Sequence, residues 1–418
     1  NPYSGRTKKT DYGGGDENQN NLHAYARTSP HGRCSGMSPP PANSSKTALV
    51  LTGRGARAAY QVGVVLAVSK LSTQHRKNPF PILCGTSAGA INAASIACLA
   101  DNFGKAVAVL ANFWRNMHAG QIYRADPLGI AQSGAHWMSM LTLGWLIRSR
   151  PRSLLDNSPL RDVLYKHFDF SGIERSIASG ALHALSISAS GYESGDNINF
   201  FQGHATAQPW RRVQRIGIRS QIGVDHLLAS SAIPFIFPAT KIHREFFGDG
   251  SMRQLAPISP AIHLGAERIL IVGAGRKNEH QERRRVDTHP SLAQIAGHAL
   301  SSIFLDSLAV DIERMQRINR TLSAIPPELR NHSDIPLRPI QSLIISPSER
   351  LERIAAENAN ALPWAMRTML GGIGGMNRRN GTLTSYLLFE KPYTRALIDL
   401  GYADTMARDT EVGDFLEL

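Results

Sequence analysis

A serine between two glycines is the pattern in this chain best suited to covalent chemistry. Gly85-Thr86-Ser87-Ala88-Gly89 reads G-x-S-x-G and lies between a short apolar run and an Ala-rich stretch. In a sharp strand-to-helix turn, the serine takes a strained backbone conformation and its neighbours must be small. Its hydroxyl then stands at a helix N-terminus, where the helix dipole favours developing negative charge. The pattern predicts Ser87 as a nucleophile in an elbow formed by Gly85, Thr86, Ala88 and Gly89.

A second Gly-rich turn lies upstream, between the run 47–52 and a helical pattern that extends to about Leu71. Its residues are Gly53, Arg54, Gly55, Ala56, Arg57 and Ala58. The spacing also fits a dinucleotide fingerprint, which needs an acidic residue about 20 positions downstream to hold the ribose. No Asp or Glu occurs between Glu17 and Asp101, so the chain lacks the acidic residue that a dinucleotide site needs. The dinucleotide interpretation then allows only an NADP site in which Arg76 binds the phosphate. We therefore interpret the turn as an oxyanion hole whose backbone N–H groups face an intermediate on Ser87, with a purely structural turn as the alternative.

A nucleophilic serine needs a base, and none of the 15 histidines lies in a pattern that nominates it. The stronger candidate is Asp249, in the run Phe246-Phe247-Gly248-Asp249-Gly250-Ser251. An Asp-Gly pair taken alone most often marks a turn. Asp249, Gly250 and Ser251 are therefore candidates for an aspartate turn at the site.

The order of Gly-rich loop, G-x-S-x-G elbow and later Asp-Gly pair resembles the patatin-like phospholipases, which are lipid acyl hydrolases with a Ser-Asp dyad and no histidine. Leu49–Val65, Ser230–Pro238 and Pro257–Val272 are also similar to segments of that family. The resemblance implies that Ser87 is the nucleophile and that Asp249 accepts its proton. It also implies that the backbone of 53–56 forms the oxyanion loop and that Arg57 is the family's usual basic residue.

Three residues depart from the family pattern. Arg54 and Ala58 stand where the family commonly has glycine, and Ser251 stands where it has Gly or Ala. If Arg54 needs a positive φ, we expect backbone strain there. Ala58 begins a helix, where alanine is favourable. Ser251 is small, so we expect it to be tolerated.

Strand and helix patterns alternate from Thr47 onwards, which predicts a mostly parallel sheet covered on both faces. With the resemblance, the expected fold is α/β, a three-layer α/β/α arrangement with a helical C-terminal extension. We expect a disordered low-complexity tail over 1–45, a catalytic domain over 46–290, and the extension, packed on that domain, over 291–418. The extension resembles that of bacterial members of the family.

The resemblance implies an enzyme, a serine hydrolase of the phospholipase A or lysophospholipase type that acts through an acyl-enzyme. Three alternatives stay open: a catalytically weak or silent lipid-binding protein, a non-lipid carboxylesterase, and a Ser-His-Asp hydrolase. No spacing of residues suggests a metal site, so no metal or cofactor is expected.

The chain carries 46 Lys and Arg against 33 Asp and Glu, a net charge of +13, which favours an anionic partner. The cluster Arg276–Arg285 is interleaved with Glu279 and Glu282 and has no aromatics, so we expect a solvated loop and no nucleic acid partner. Trp137–Ile147 is apolar but too short to span a bilayer, and is either a core helix or an interfacial helix. With three cysteines and no disulfide framework, we expect a cytoplasmic protein in peripheral contact with the anionic inner face of the membrane.

Overall fold

The structure, a computed structural model, describes residues 46–124, 153–273, 289, 292–326, 329, 337–372 and 382–418. The predicted tail 1–45, the apolar segment Trp137–Ile147 and the cluster Arg276–Arg285 lie outside these residues. Within the described ranges, no helix combines the length and the apolar content needed to cross a membrane.

In the part of the chain that the structure describes, ten strands form one sheet in the order β10-β9-β1-β2-β3-β4-β6-β5, with β7 and β8 joined to it through β3. The strands are β1 Thr47–Leu51, β2 Ile82–Thr86, β3 Ala184–Gly191, β4 Asn197–Gly203, β5 Trp210–Arg212, β6 Arg215–Arg219, β7 Thr240–Ile242, β8 Glu245–Asp249, β9 Arg268–Val272 and β10 Gln341–Ile345. The five strands from β10 to β3 run parallel. Beyond them, β4 and β8 pair antiparallel with β3.

Helices cover both faces of the sheet. They are α1 Ala59–Leu71, α2 Ala88–Ala97, α3 Phe103–Arg115, α4 Ser158–His167, α5 Ser171–Ala178, α6 Val224–Ser230, α7 Ser259–His263, α8 Leu292–Ser323, α9 Leu351–Glu357, α10 Trp364–Gly372, α11 Thr382–Leu387, α12 Lys391–Met406 and α13 Asp409–Leu416. One core contains Leu49 and Leu83 of the sheet with side chains of α1, α2 and α3. The other contains Val50 and Cys84 with side chains of α7 and α8. Alternate residues of one strand thus face opposite cores, and the predicted α/β/α fold with C-terminal helices is confirmed.

The predicted and observed elements differ at two places. The apolar run Phe80–Cys84 predicts the second strand, but that strand begins at Ile82, since Pro81 has no N–H to give to a ladder. The five strands from β4 to β8 were not predicted, because their sequences mix polar with apolar residues and do not form continuous apolar runs. β10 and the helices after it belong to the predicted C-terminal extension, and α12 packs along α1.

Candidate active site

Ser87 and Asp249 approach each other because β2 and β8 occupy the same edge of β3. Thr86, the last residue of β2, pairs with Ser188. Asp249, the last residue of β8, pairs with the next residue, Ala189. Since Ser87 directly follows Thr86, the register of β3 brings the two predicted residues to neighbouring positions.

The predicted elbow is a tight turn between β2 and α2. Ser87 is only 1% exposed and has φ 54° and ψ −130°, a conformation that side chains rarely adopt. Its backbone N–H donates to Ser230 Oγ at 2.8 Å, and that hydroxyl donates to the Ser188 carbonyl at 2.6 Å. A Cβ at Gly89 would lie 2.2 Å from the Leu51 carbonyl oxygen, so only glycine fits there. The strained backbone of the turn and the hydrogen bond to Ser230 therefore fix the position of Ser87.

The other elbow residues lie where the motif places them. Gly85 and Thr86 end β2, and Ala88 begins α2. The Thr86 hydroxyl accepts a hydrogen bond from Gln254 Nε2 at 2.9 Å. This bond ties the elbow to the segment that follows the aspartate turn.

The aspartate turn comprises Asp249, Gly250 and Ser251 at the end of β8. The Ser251 N–H donates to Asp249 Oδ1 at 2.9 Å, and the Asp249 N–H donates to the Ala232 carbonyl at 2.9 Å. Asn197 of β4 donates from Nδ2 to the Gly250 carbonyl at 2.9 Å. Asn197 was not predicted as a site residue, since only its position in the sheet reveals this contact.

Burial dominates the electrostatics of Asp249, whose side chain is completely enclosed. Removal from water raises the pKa of its carboxyl to about 6, although the Ser87 hydroxyl, the Ser251 N–H and the Ser251 hydroxyl each act to lower it. Oδ2 itself completes no hydrogen bond within the described part of the chain. The Ser87 hydroxyl is therefore near enough to affect the pKa of the carboxyl without closing a hydrogen bond, as is common in substrate-free sites.

The Gly-rich turn forms a short 3-10 helix, Gly55–Ala58, ahead of α1. The first N–H groups of such a helix have no partner inside it, which leaves those of Gly55 and Ala56 available. Gly53 lies against Ser87, since a Cβ on it would be 2.6 Å from Ser87 Cβ. The expected strain at Arg54 is not found: its φ is −158°, and the positive φ of 52° belongs to Gly55. Ala58 is helical, with φ −65°.

Both arginines of the turn are buried, but their surroundings differ. Arg57 Nη2 lies 2.8 Å from Glu352 Oε1, and Arg57 Nε donates to Ser385 Oγ at 2.8 Å. Arg54 Nε and Nη2 have no hydrogen-bond partner among the described residues. Burial lowers the pKa of Arg54 to about 10, so it stays charged at neutral pH.

A buried chain of amides that the sequence did not reveal supports the loop from within. Gln61 Nε2 donates to the Thr52 carbonyl at 2.7 Å, and Asn92 Nδ2 donates to Gln61 Oε1 at 2.9 Å and to the Ala58 carbonyl at 3.1 Å. Trp114 Nε1 donates to Asn92 Oδ1 at 2.7 Å. Both ends of the loop are thus hydrogen-bonded to a network that reaches α2 and α3.

A small apolar cavity, partly open to solvent, adjoins the serine. It is lined by Gly55, Ser87, Ala88, Ile91, Phe113, Trp114, Met117, Ile122, Leu160, Ser231, Ile233, Phe237 and Phe389. Its walls are aromatic and aliphatic, as in sites that enclose an apolar ligand. No group of three or more His, Cys, Asp or Glu side chains in the described ranges is placed to hold a metal ion.

Comparisons with known proteins agree with the predicted resemblance. The model of the patatin-like phospholipase family matches residues 49–262, which is 214 of the 418 residues and includes the loop, the elbow and the aspartate turn. VipD from Legionella pneumophila, a solved structure, is 12% identical over 85% of this chain and 67% of that chain, with a TM-score of 0.32. No curated protein matches this chain. Because the family match spans more than half of the sequence, this chain belongs to the patatin-like phospholipase family.

Proposed function

We propose that this protein hydrolyses carboxylic ester bonds of phospholipids or lysophospholipids through a Ser87–Asp249 dyad. Family membership supports lipid acyl hydrolase activity in general. One observation carries the finer assignment: a fully buried carboxyl with a pKa of about 6 faces the serine of a strained elbow beside an apolar cavity.

The two oxygens of the Asp249 carboxylate have different roles. Oδ1 accepts the Ser251 N–H, which fixes the plane of the carboxylate. Oδ2 has no donor among the described residues and so is free to take the proton of the Ser87 hydroxyl. A pKa near 6 makes Asp249 a stronger base than an ordinary aspartate, while most of it stays ionised at neutral pH.

The reaction then runs in two acyl-transfer steps. Ser87 Oγ attacks the ester carbonyl as Asp249 takes its proton, and the N–H groups of Gly55 and Ala56 bind the resulting oxyanion. The proton passes to the departing alcohol, which leaves an acyl group on Ser87. Asp249 next accepts a proton from water as that water attacks the acyl carbonyl, and it returns the proton to Ser87 Oγ as the fatty acid leaves. The aromatic cavity holds the acyl chain, with Phe113, Trp114, Phe237 and Phe389 as walls.

Product analysis tests this function. Mixed phospholipid vesicles should yield free fatty acids and lysophospholipids with the wild type and none with Ser87→Ala, as measured by mass spectrometry. Ser95→Ala, which alters a buried serine on α2 away from the cavity, serves as the matched control and should retain activity. A fluorophosphonate should label Ser87, and labelling of another serine would contradict the assignment, as would full turnover by Asp249→Asn.

We further propose peripheral contact with an anionic membrane surface next to the cavity. Phe235 is 79% exposed and has φ 66°, which is unfavourable for a bulky side chain. It lies between Ile233 and Phe237, both of which line the cavity. An exposed aromatic at that position suits insertion among lipid chains.

Vesicle sedimentation tests the membrane contact. Binding should rise with the anionic lipid fraction and fall with salt, because the chain is strongly basic. Phe235→Ser should weaken binding about three- to tenfold through lost apolar burial. Val310→Ser, which alters an exposed apolar residue of α8, should not. Equal binding by both variants would remove Phe235 from the contact.

A further inference from the structure

The buried guanidinium of Arg57 joins the oxyanion loop to chain segments outside the family match. Its side chain is 3% exposed and forms an ion pair with Glu352 of α9 at 2.8 Å. Its Nε donates to Ser385 Oγ at 2.8 Å, and its guanidinium carbon lies 4.4 Å from the centre of the Tyr386 ring. All three partners follow residue 262, where the match ends. The loop is therefore held partly by the C-terminal region.

The same C-terminal segment touches the loop backbone directly. A Cβ at Gly55 would lie 2.4 Å from the Tyr386 carbonyl oxygen, and Gly55 also has a positive φ. Hence the loop can pass this close to α11 only if residue 55 is glycine. Gly55 is one of the two residues whose N–H groups face the oxyanion in the proposed reaction.

The segment after α11 also reaches the cavity. Phe389 lines the cavity and stacks on Trp114, with ring centres 6.2 Å apart. The Tyr123 hydroxyl donates to the Leu387 carbonyl at 3.0 Å, which fixes this stretch against the first part of the chain. Residues 382–389 thus contact both the oxyanion loop and the acyl cavity.

We propose that Glu352 and Ser385 are positioning residues for the reaction, acting through Arg57 on the N–H groups of Gly55 and Ala56. An arginine fork held by a carboxylate and a hydroxyl has a defined direction, whereas an apolar residue could fill the space without fixing an orientation. Arg57 is buried but the Glu352 side chain is 38% exposed, and an ion pair of this kind contributes little net stability. The value of the pair here is therefore orientation. Small errors in the direction of oxyanion donors reduce the rate strongly, because these donors act on the transition state.

The charge balance around the loop makes Glu352 especially important. Arg54 and Arg57 place two guanidinium groups in the interior, and Glu352 is the carboxylate that forms an ion pair with Arg57 among the described residues. Loss of that carboxylate leaves two buried positive charges whose repulsion acts on the loop between them. We expect the backbone of 53–57 to shift in response.

The test compares Glu352→Gln with Glu357→Gln. Both glutamates are on α9, but the exposed Glu357 pairs with the exposed Arg353 at 3.7 Å and not with Arg57. With a soluble short-chain ester, well below the melting temperature and per active site titrated with a fluorophosphonate, Glu352→Gln should lower kcat about 10- to 100-fold with KM nearly unchanged. Ser385→Ala should lower kcat less, by about three- to tenfold, and Glu357→Gln should match the wild type.

Three outcomes overturn the proposal: an unchanged kcat per titrated site with only a lower melting temperature, a change confined to KM, or an equal effect of Glu357→Gln. If Glu352→Gln does not fold, Ser385→Ala decides by the same criteria. The proposal rests on the proposed function, and a wild type with no turnover and no label would defeat that function. Amide hydrogen exchange over 53–57 still tests the positioning: faster exchange in Glu352→Gln than in Glu357→Gln supports it, and equal exchange overturns it.

Discussion

The nucleophile elbow and the aspartate turn hold their reactive groups in different ways. At the elbow, the unfavourable feature is in the backbone: Ser87 has φ 54°, while its N–H is satisfied by Ser230. At the aspartate turn, the backbone is ordinary, with φ −51° at Asp249, and the unfavourable feature is a buried carboxyl with an unpaired oxygen. Strain fixes the direction of Ser87, the proposed nucleophile, and desolvation raises the pKa of Asp249, its proposed base.

The segment 230–237 contacts both the elbow and the aspartate turn. Ser230 accepts the Ser87 N–H, and the Ala232 carbonyl accepts the Asp249 N–H. Ile233 and Phe237 then line the cavity. The single stretch 230–237 therefore contacts both the elbow and the aspartate turn and forms part of the cavity wall.

Asp249→Asn should give the largest effect, with opposite signs for activity and stability. Loss of the base should reduce turnover by at least about a thousandfold. The folded-state pKa of about 6 lies above the ordinary value of 3.8, so the stability this group contributes is fully present below pH 3.8 and is lost as pH rises through 6. Asparagine imitates the protonated form, so thermal unfolding at pH 7.5 should show a gain of up to about 3 kcal/mol that disappears near pH 4.

Asp311→Asn is the matched control for that experiment. Burial also raises the pKa of Asp311 to about 6, but this residue accepts the Ile258 N–H away from the dyad. It should reproduce the pH-dependent gain in stability and retain full activity. A stability gain without loss of turnover in Asp249→Asn would place the base elsewhere.

The pH–rate profile is the second test of the contrast between backbone strain at Ser87 and desolvation at Asp249. Because only the carboxylate of Asp249 can accept a proton, kcat/KM should fall about tenfold per pH unit below 6 and level off above it. The rate of fluorophosphonate labelling should follow the same curve, since it needs the same base. A rate that stays constant down to pH 4.5 would show that desolvation does not set the basicity of the dyad.

The same contrast explains which parts of the site could be predicted from sequence. The elbow is local: strand, glycines, serine and helix are contiguous, so the motif contains its own context. The approach of Asp249 depends on two strands sharing the edge of β3, and β8 was not predicted. The Asp-Gly pattern alone predicts a turn, and only the family resemblance predicted that Asp249 pairs with Ser87. The contacts of Glu352, Ser385 and Phe389 come from folding distant chain onto the loop, and no local spacing signals them.

The smallest expected effect concerns the strain at the elbow itself. Ser87→Ala and Ser87→Gly should both be inactive, but only glycine relieves φ 54° with ψ −130°. Relief of that strain should exceed the entropy that glycine adds to the unfolded chain, so the glycine variant should be more stable by about 1 kcal/mol in thermal or urea unfolding. At Ser95, in the regular part of α2, the order should reverse, with alanine the more stable by about 1 kcal/mol. If alanine is the more stable at both positions, the elbow holds no strain, and the rigidity of the nucleophile must come from the Ser230 hydrogen bond alone.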